Sequence, residues 1–304
     1  MNFEVFILGS SSATPIYQRH PTAQVIKIHE RVFLVDCGEG TLIQMNRFKI
    51  RFHKINQIFI SHLHGDHYLG LLGLISTMHL QGRTNDLHIY GQKELKEIID
   101  IQLKYSETVL RYKIHYHFLD ANKDELIYSD EDIEVNSISL KHRIPCTGFI
   151  FKEKPRLRKL VREKLSEYEI PVSAYENLKN GEDFVTDKGQ RISNTEVTSD
   201  PRPPRSYAFC SDTIYDERLV HIVKNVDLLY HEATFMNDKE ERAAETFHST
   251  AAQAATIAMK AEVKRLIIGH FSARYKNLYL LLEEARVIYP NATLALEGDR
   301  FTIE

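Results

Sequence analysis

Seven residues, Ser61-His62-Leu63-His64-Gly65-Asp66-His67, hold three imidazoles and a carboxylate, and they follow directly on the short apolar stretch Gln57-Ile58-Phe59-Ile60. A strand that empties into a loop of this composition is suited to holding metal. In extended backbone, residues two apart point to the same side, so His62 and His64 can grip one ion while Asp66 and His67 turn toward another. Imidazole and carboxylate ligands without thiolate suit zinc, and also manganese or iron, in hydrolytic centres that leave one coordination position open for water. A solvated, His-rich loop is the alternative, and the strand placed directly before H-x-H-x-D-H speaks against it.

Four ligands on one loop cannot close two metal sites, so further donors are required downstream, each at a strand end. Three positions have that context. His142 follows the alternating run Ile133 to Leu140, Asp212 follows Ser206 to Cys210, and His270 follows Leu266-Ile267-Ile268-Gly269. Position rather than residue type selects them, since the chain has fifteen histidines. Further β-branched or aromatic runs (Phe3 to Leu8, Gln24 to Ile28, Val32 to Val35, Leu228 to Tyr230) alternate with helical stretches, an α/β pattern. After the histidine loop, Leu69, Leu72, Leu74 and Ile75 predict a packed helix, with Gly70 and Gly73 permitting close approach.

The 304 residues, 43% hydrophobic and 27% charged, are ordinary for a soluble globular protein, with no apolar run long enough to cross a bilayer. The N-terminus reads as a strand rather than a signal peptide, so a cytoplasmic protein is expected. Cys37, Cys146 and Cys210 form no C-x-x-C pair and are expected to be buried small apolar residues. A net charge of −3 gives no general attraction to nucleic acid, so any polyanion site must come from local charge or from metals. From about 152 to 205 the chain becomes polar and irregular, broken by Pro155, Pro171, Gly181, Gly189 and Pro201-Arg202-Pro203-Pro204. Its first part, Lys152 to Lys164, sets seven basic residues, including Arg156, Arg158 and Lys159, against Glu153 and Glu163. A charge run of this kind is ordinarily a solvated face.

With H-x-H-x-D-H followed by single His, Asp and His residues at strand ends, the chain resembles the metallo-β-lactamase superfamily. Within it, Asp36-Cys37-Gly38-Glu39-Gly40-Thr41, His231-Glu232-Ala233-Thr234, His248-Ser249-Thr250 and His270-Phe271-Ser272-Ala273-Arg274-Tyr275 resemble the short form of ribonuclease Z, the tRNA 3′-end processing endonucleases. The resemblance implies an α/β fold, a four-layer αββα sandwich. Residues 1–304 would form one such domain, with an inserted, protruding tRNA-binding arm at about 152–205. It implies two zinc ions per subunit, one on His62, His64, His142 and Asp212, the other on Asp66, His67, Asp212 and His270, with Asp212 bridging. A carboxylate can do this with its two oxygens, whereas a neutral imidazole normally serves one metal.

Two divalent ions so placed activate a water for in-line attack on phosphorus and neutralise charge on the phosphoryl oxygens. By resemblance, Asp66 accepts the water's proton while its other oxygen binds metal. His248, oriented by Glu232, protonates the departing oxygen. Ser249 or Thr250 would cap the helix that opens at Ala251-Ala252-Gln253-Ala254-Ala255, whose N-terminus suits an anion, and Arg274 could bind a substrate phosphate or form a structural salt bridge. Arg156, Arg158 and Lys159 would contact tRNA backbone from the arm. Precursor tRNA is thus the expected partner and a homodimer the expected assembly, with no membrane and no DNA involved. Two other functions compete: a small-molecule phosphodiesterase or arylsulfatase-like hydrolase on the same metal core, and a metal-binding RNA chaperone without catalysis. The first needs no basic arm, and the second has no use for an unsaturated metal site.

Overall fold

A computed structural model describes residues 2–304. The chain divides into two compact units, one made of residues 1–129, 133–152 and 205–304, the other of residues 130–132 and 153–204.

The larger unit is built on two seven-stranded sheets. In the first, the strands run in the order Arg300–Thr302, Phe3–Gly9, Ala23–Ile28, Arg31–Val35, Ile55–Phe59, Leu87–Gly91 and Ile114–Phe118, antiparallel as far as Arg31–Val35 and parallel beyond. The second runs Ala292–Leu294, Leu266–Gly269, Leu228–Glu232, Ser206–Cys210, Cys146–Glu153, Ile133–Leu140 and Leu126–Ser129. Its first four strands are parallel, and Cys146–Glu153 joins them antiparallel.

Alternation decides which residues fill the space between the sheets. Phe3, Val5, Ile7, Phe33, Val35 and Phe59 from one meet Phe149, Phe151, Tyr207, Phe209 and Tyr230 from the other, all fully buried. Outside the first sheet, Leu8, Val25, Leu34, Ile58 and Ile60 pack on Met45, Leu71, Leu74, Ile75, Met78, Leu95 and Ile99 from the helices Thr41–Arg47, Leu71–Leu80 and Glu94–Tyr105. Outside the second, Ala208, Cys210, Leu229, Leu266 and Ile268 pack on Ala254, Ala255, Ala258, Leu281 and Leu282 from the helices Ala251–Lys260 and Tyr279–Ile288. This is the expected αββα order of layers. Phe59, the last residue of its strand before the histidine loop, lies 5.3 Å from the Phe149 ring and 5.4 Å from that of Phe151. Emptying that position to alanine would cost about 3–5 kcal/mol, so the core itself fixes where the loop begins.

The expected helix behind the loop is two elements, Gly65–Tyr68 and Leu71–Leu80. Gly70 serves as read: a Cβ there would meet the Gly38 carbonyl oxygen at 2.2 Å, which lets the chain lie directly on residues 37 and 38. Gly73 faces open space and Leu69 is exposed, so neither contributes the packing that spacing suggested. Leu87–Gly91 and Ile114–Phe118 were not legible as strands, because His88, His115 and His117 interrupt the apolar alternation.

The smaller unit has a core of its own, formed by Leu165, Ile170, Leu178, Ile192 and Val197. Around it lie the helices Arg162–Glu167, Tyr175–Lys179 and Asn194–Val197, and two short ribbons that pair Lys159–Leu160 with Thr198–Ser199 and Phe184–Val185 with Arg191–Ile192. No element here exceeds two turns of helix, as the prolines and glycines require.

Candidate metal centre

Six strand ends deliver the site. Ile55–Phe59 leads into His62 and His64, and the turn Gly65–Tyr68 carries Asp66 and His67. His142, Asp212 and His270 follow Ile133–Leu140, Ser206–Cys210 and Leu266–Gly269, while Glu232 ends Leu228–Glu232. Asp36, just past Arg31–Val35, and His270 both sit in left-handed backbone, with φ of 56° and 60°. L-residues adopt that conformation only where the surroundings impose it.

Most donor atoms fall into two sets, beside which Asp212, His248 and His270 form a third group close enough to hold a metal. His64 Nδ1 lies 3.0 Å from His62 Nε2 and 3.1 Å from His142 Nε2. Asp212 Oδ2 stands 3.5 Å from His62 Nε2 and 3.8 Å from His142 Nε2. The other oxygen of Asp212, Oδ1, faces His67 Nε2 at 3.5 Å and His270 Nε2 at 3.2 Å. Asp66 Oδ2 completes this second set, 3.4 Å from His67 Nε2 and 3.3 Å from His270 Nε2. Donors held about 2.0–2.1 Å from one ion at tetrahedral angles stand about 3.3–3.4 Å apart, so both sets have the dimensions of a divalent metal site, with Asp212 common to them.

Electrostatics and hydrogen bonding fit the same occupant. His67 Nε2 and Asp212 Oδ1 are buried with no hydrogen-bond partner, a costly arrangement that a shared cation satisfies. Burial holds His62, His64 and His142 below the usual imidazole range, which keeps their lone pairs available. Burial alone would raise Asp66 and Asp212, but the neighbouring imidazoles hold both carboxylates well below their ordinary values. Three of the rings are turned by their other nitrogen. His67 donates from Nδ1 to Asp36 Oδ2 at 2.7 Å, His142 to the Phe247 carbonyl at 2.9 Å, and His270 to Thr234 Oγ1 at 2.9 Å. These bonds set the tautomers that leave Nε2 facing the cluster.

The cluster forms the floor of a cavity of about 430 Å³, lined among others by His64, Asp66, His142, Asp212, His248 and His270. Asp66 Oδ2 also accepts from the Ala13 N–H at 2.7 Å, whereas Oδ1 has no hydrogen-bond partner among the described residues. His248 donates from Nδ1 to Glu232 Oε1 at 2.9 Å. Burial would lower this imidazole, but the Glu232 carboxylate outweighs burial and lifts it to about 9, so it carries a proton at neutral pH.

Glu232 itself is fully buried and accepts from Thr213 N, Ser249 N and His248 at Oε1, and from the Thr234 N–H and hydroxyl at Oε2. It reaches no part of the cavity and meets the site through His248 and Thr234. Ser249 and Thr250 are likewise fully buried. The Ser249 hydroxyl donates to the Thr213 carbonyl, and Thr250 caps Ala251–Lys260 through a reciprocal pair of bonds with Gln253. Both hydroxyls are therefore used inside the protein, and neither is presented to a substrate. Arg274 is exposed, forms no ion pair among the described residues, and lies 5.7 Å from the Phe235 ring centroid. With Arg242 it lines a cavity that shares Ser12, Ala13, Thr246 and His248 with the metal cavity. The cysteines are buried as expected. Burial pushes Cys37 and Cys210 up to about 12 and Cys146 well above its usual value, which leaves no thiolate for metal or nucleophile.

In the smaller unit, Arg156 stands 4.0 Å from Glu153. Arg158 pairs with Asp200 and donates to Thr198 Oγ1 at 2.7 Å, so it braces the ribbon. Lys159 is exposed, and with Arg158, Arg162, Lys179 and Tyr175 it lines a basic concavity of about 630 Å³. Asp36 and Thr234 received no role from the sequence. Their motifs were visible, but only the fold shows that Asp36 faces His67 and Thr234 faces His270.

Over residues 3–156 the chain matches the family model described as anti-Pycsar protein Apyc1. It is 48% identical to ribonuclease Z of Bacteroides thetaiotaomicron over 99% of this chain and 95% of that protein, and 46% identical to ribonuclease Z of Bacteroides fragilis over 97% of each. Among solved structures it is similar to the short form of human tRNase Z, with a TM-score of 0.71, 27% identity and 99% coverage of both chains. Identity of this extent, running the full length of both proteins, makes the chain a member of the ribonuclease Z family, and residues 3–156 belong also to the Apyc1 family.

Proposed function

We propose that this protein is a zinc-dependent endoribonuclease that removes the 3′ trailer from precursor tRNA. The observation that carries the reading is the pair of donor sets, with Asp212 facing both, on the floor of a cavity that His248 also lines. His62, His64, His142 and Asp212 would hold one zinc, and Asp66, His67, Asp212 and His270 the other. When bound, the metals would activate a water and offset negative charge on the phosphoryl oxygens.

The chain's own groups account for the remainder. Asp66 takes the water's proton on Oδ1 while Oδ2 stays engaged with the centre. As the water oxygen bonds to phosphorus, the P–O3′ bond breaks, and its electron pair receives a proton from His248 Nε2. The tRNA keeps a 3′-hydroxyl and the trailer keeps the phosphate. Glu232 stabilises the charged state of His248, which regains its proton from solvent after each turnover, and fixes its ring plane. Arg274 binds substrate phosphate beside His248, and Lys159 and Arg162 in the smaller unit hold tRNA backbone without reading sequence. We take the working protein to be a cytoplasmic homodimer. No helix among the described residues is long and apolar enough to cross a membrane.

The test is incubation of metal-loaded protein with end-labelled precursor tRNA bearing a 3′ trailer, alongside Asp66→Ala and a metal-stripped sample. The expected result is one metal-dependent cut after the discriminator nucleotide, abolished in Asp66→Ala while tRNA affinity persists. Absence of a cut on several precursors, with hydrolysis of small phosphodiesters retained, would assign the centre to a small-molecule phosphodiesterase.

A further inference from the structure

We propose that Arg143 is the contact that seats the 3′ trailer, holding a phosphate beside His64 at the mouth of the metal cavity. The assignment rests on the tRNA-processing reading above. Arg143 directly follows His142, is exposed, and places Nη2 3.1 Å from His64 Nε2. That contact cannot survive in the working centre. His64 turns Nδ1 toward His62 and His142, and an imidazole that gives its Nδ1 lone pair to a cation carries its proton on Nε2. A guanidinium has only N–H groups, so donor would face donor. Arg143 forms no ion pair among the described residues, and its head is therefore free for an anion at the mouth of the cavity.

The surroundings say which anion. Arg143 lines both the metal cavity and a neighbouring one of about 580 Å³, which is also bounded by Asn122, Lys141, Pro145 and Arg218. Asp216 is paired with Lys141 at 3.2 Å and with Arg218 at 2.6 Å. Lys141 and Arg218 are thus matched by Asp216 and the neighbouring Asp124, and Arg143 is the cation left over on this wall, suited to a phosphate. The order of groups gives the strand its direction. His248 protonates the oxygen that stays with the tRNA, so the tRNA body lies toward His248, Arg242 and Arg274. The trailer continues from the cleaved phosphate away from the cavity of Arg242 and Arg274, and its next phosphate falls to Arg143, which lines the metal cavity and the neighbouring one but not that of Arg242 and Arg274.

The experiment compares kcat/KM for two precursors that differ only in the trailer, one nucleotide against several, in wild type, Arg143→Ala and Arg143→Lys. A second readout is the affinity of a labelled single-stranded RNA copy of the trailer for Asp66→Ala with and without Arg143→Ala, measured across salt concentrations. The long-to-short ratio of kcat/KM should fall about tenfold in Arg143→Ala and recover in part in Arg143→Lys, as expected for one charge-assisted bond. The salt slope of trailer binding should fall by about one. Equal losses on both precursors, or an unchanged ratio, would overturn the assignment and leave the tRNA-processing reading standing. Failure of the wild type to cut either precursor would remove both.

Discussion

Replacing Asp36 by asparagine should loosen one metal and spare the other. Asp36 is fully buried and accepts three bonds, from Ser61 N at 2.8 Å, Ser61 Oγ at 2.9 Å and His67 Nδ1 at 2.7 Å. In Asp36→Asn the amide oxygen keeps the Ser61 N–H, and the amide nitrogen replaces the oxygen that faced His67. To present its Nε2 lone pair, His67 must retain the proton on Nδ1 and set it against that amide N–H. The alternative tautomer restores the bond but puts a proton on Nε2, where it blocks ligation. Leaving two buried donors opposed costs about 1–3 kcal/mol, or about five- to 150-fold in affinity, which agrees with the about 10–100-fold usual for groups that orient metal ligands. Zinc affinities from calorimetric titration against a competing chelator would show one site weakened by this factor and the His62, His64, His142 site changed by less than about threefold. Precursor cleavage should fall at limiting zinc and return when zinc is in excess. Equal weakening of both sites, or none, would refute the tautomer argument.

Two other outcomes follow from the same geometry. His248→Ala should lower kcat on precursor tRNA by about 10²–10⁴ and affect an aryl phosphodiester far less, because a phenolate leaving group needs no proton; equal losses in steady-state assays would take His248 out of the acid role. Lys159→Glu with Arg162→Glu should raise KM for precursor tRNA about tenfold at low salt, with little effect at high salt and none on a small phosphodiester, and a loss on the small substrate would mean that the centre had been disturbed.

What the sequence conveyed and what it withheld have physical causes. The ligand strands were visible because buried strands read as short β-branched or aromatic runs, and His62, Asp212 and His270 are each the first ionisable group after such a run, whereas Lys141 precedes His142. Leu87–Gly91 and Ile114–Phe118 were hidden because histidines occupy positions where alternation calls for apolar groups. Asp36 and Thr234 could be seen as parts of motifs, but partners such as His67 and His270 lie on other elements, and only the three-dimensional arrangement joins them. The same limit applies to Ser249 and Thr250. A helix N-cap signature predicts the bond to Gln253 that is present, but it does not tell whether the hydroxyls face water or core. Arg158 was indistinguishable from Lys159 as a charge, yet Asp200 and Thr198 make one a brace and leave the other exposed.

The two donor sets draw on both sheets. His62, His64, Asp66 and His67 come from the end of one, and His142, Asp212 and His270 from the ends of the other. Metal held there would therefore act as a clasp between halves of the sandwich contributed by distant parts of the chain. A clasp of this kind can shut only after both sheets have formed and met, so it belongs to the last stage of folding. Its grip should appear almost wholly in the rate of unfolding, with the rate of folding little changed. Stripping the metals would then shorten the lifetime of the folded chain well before it lowered the yield of refolding.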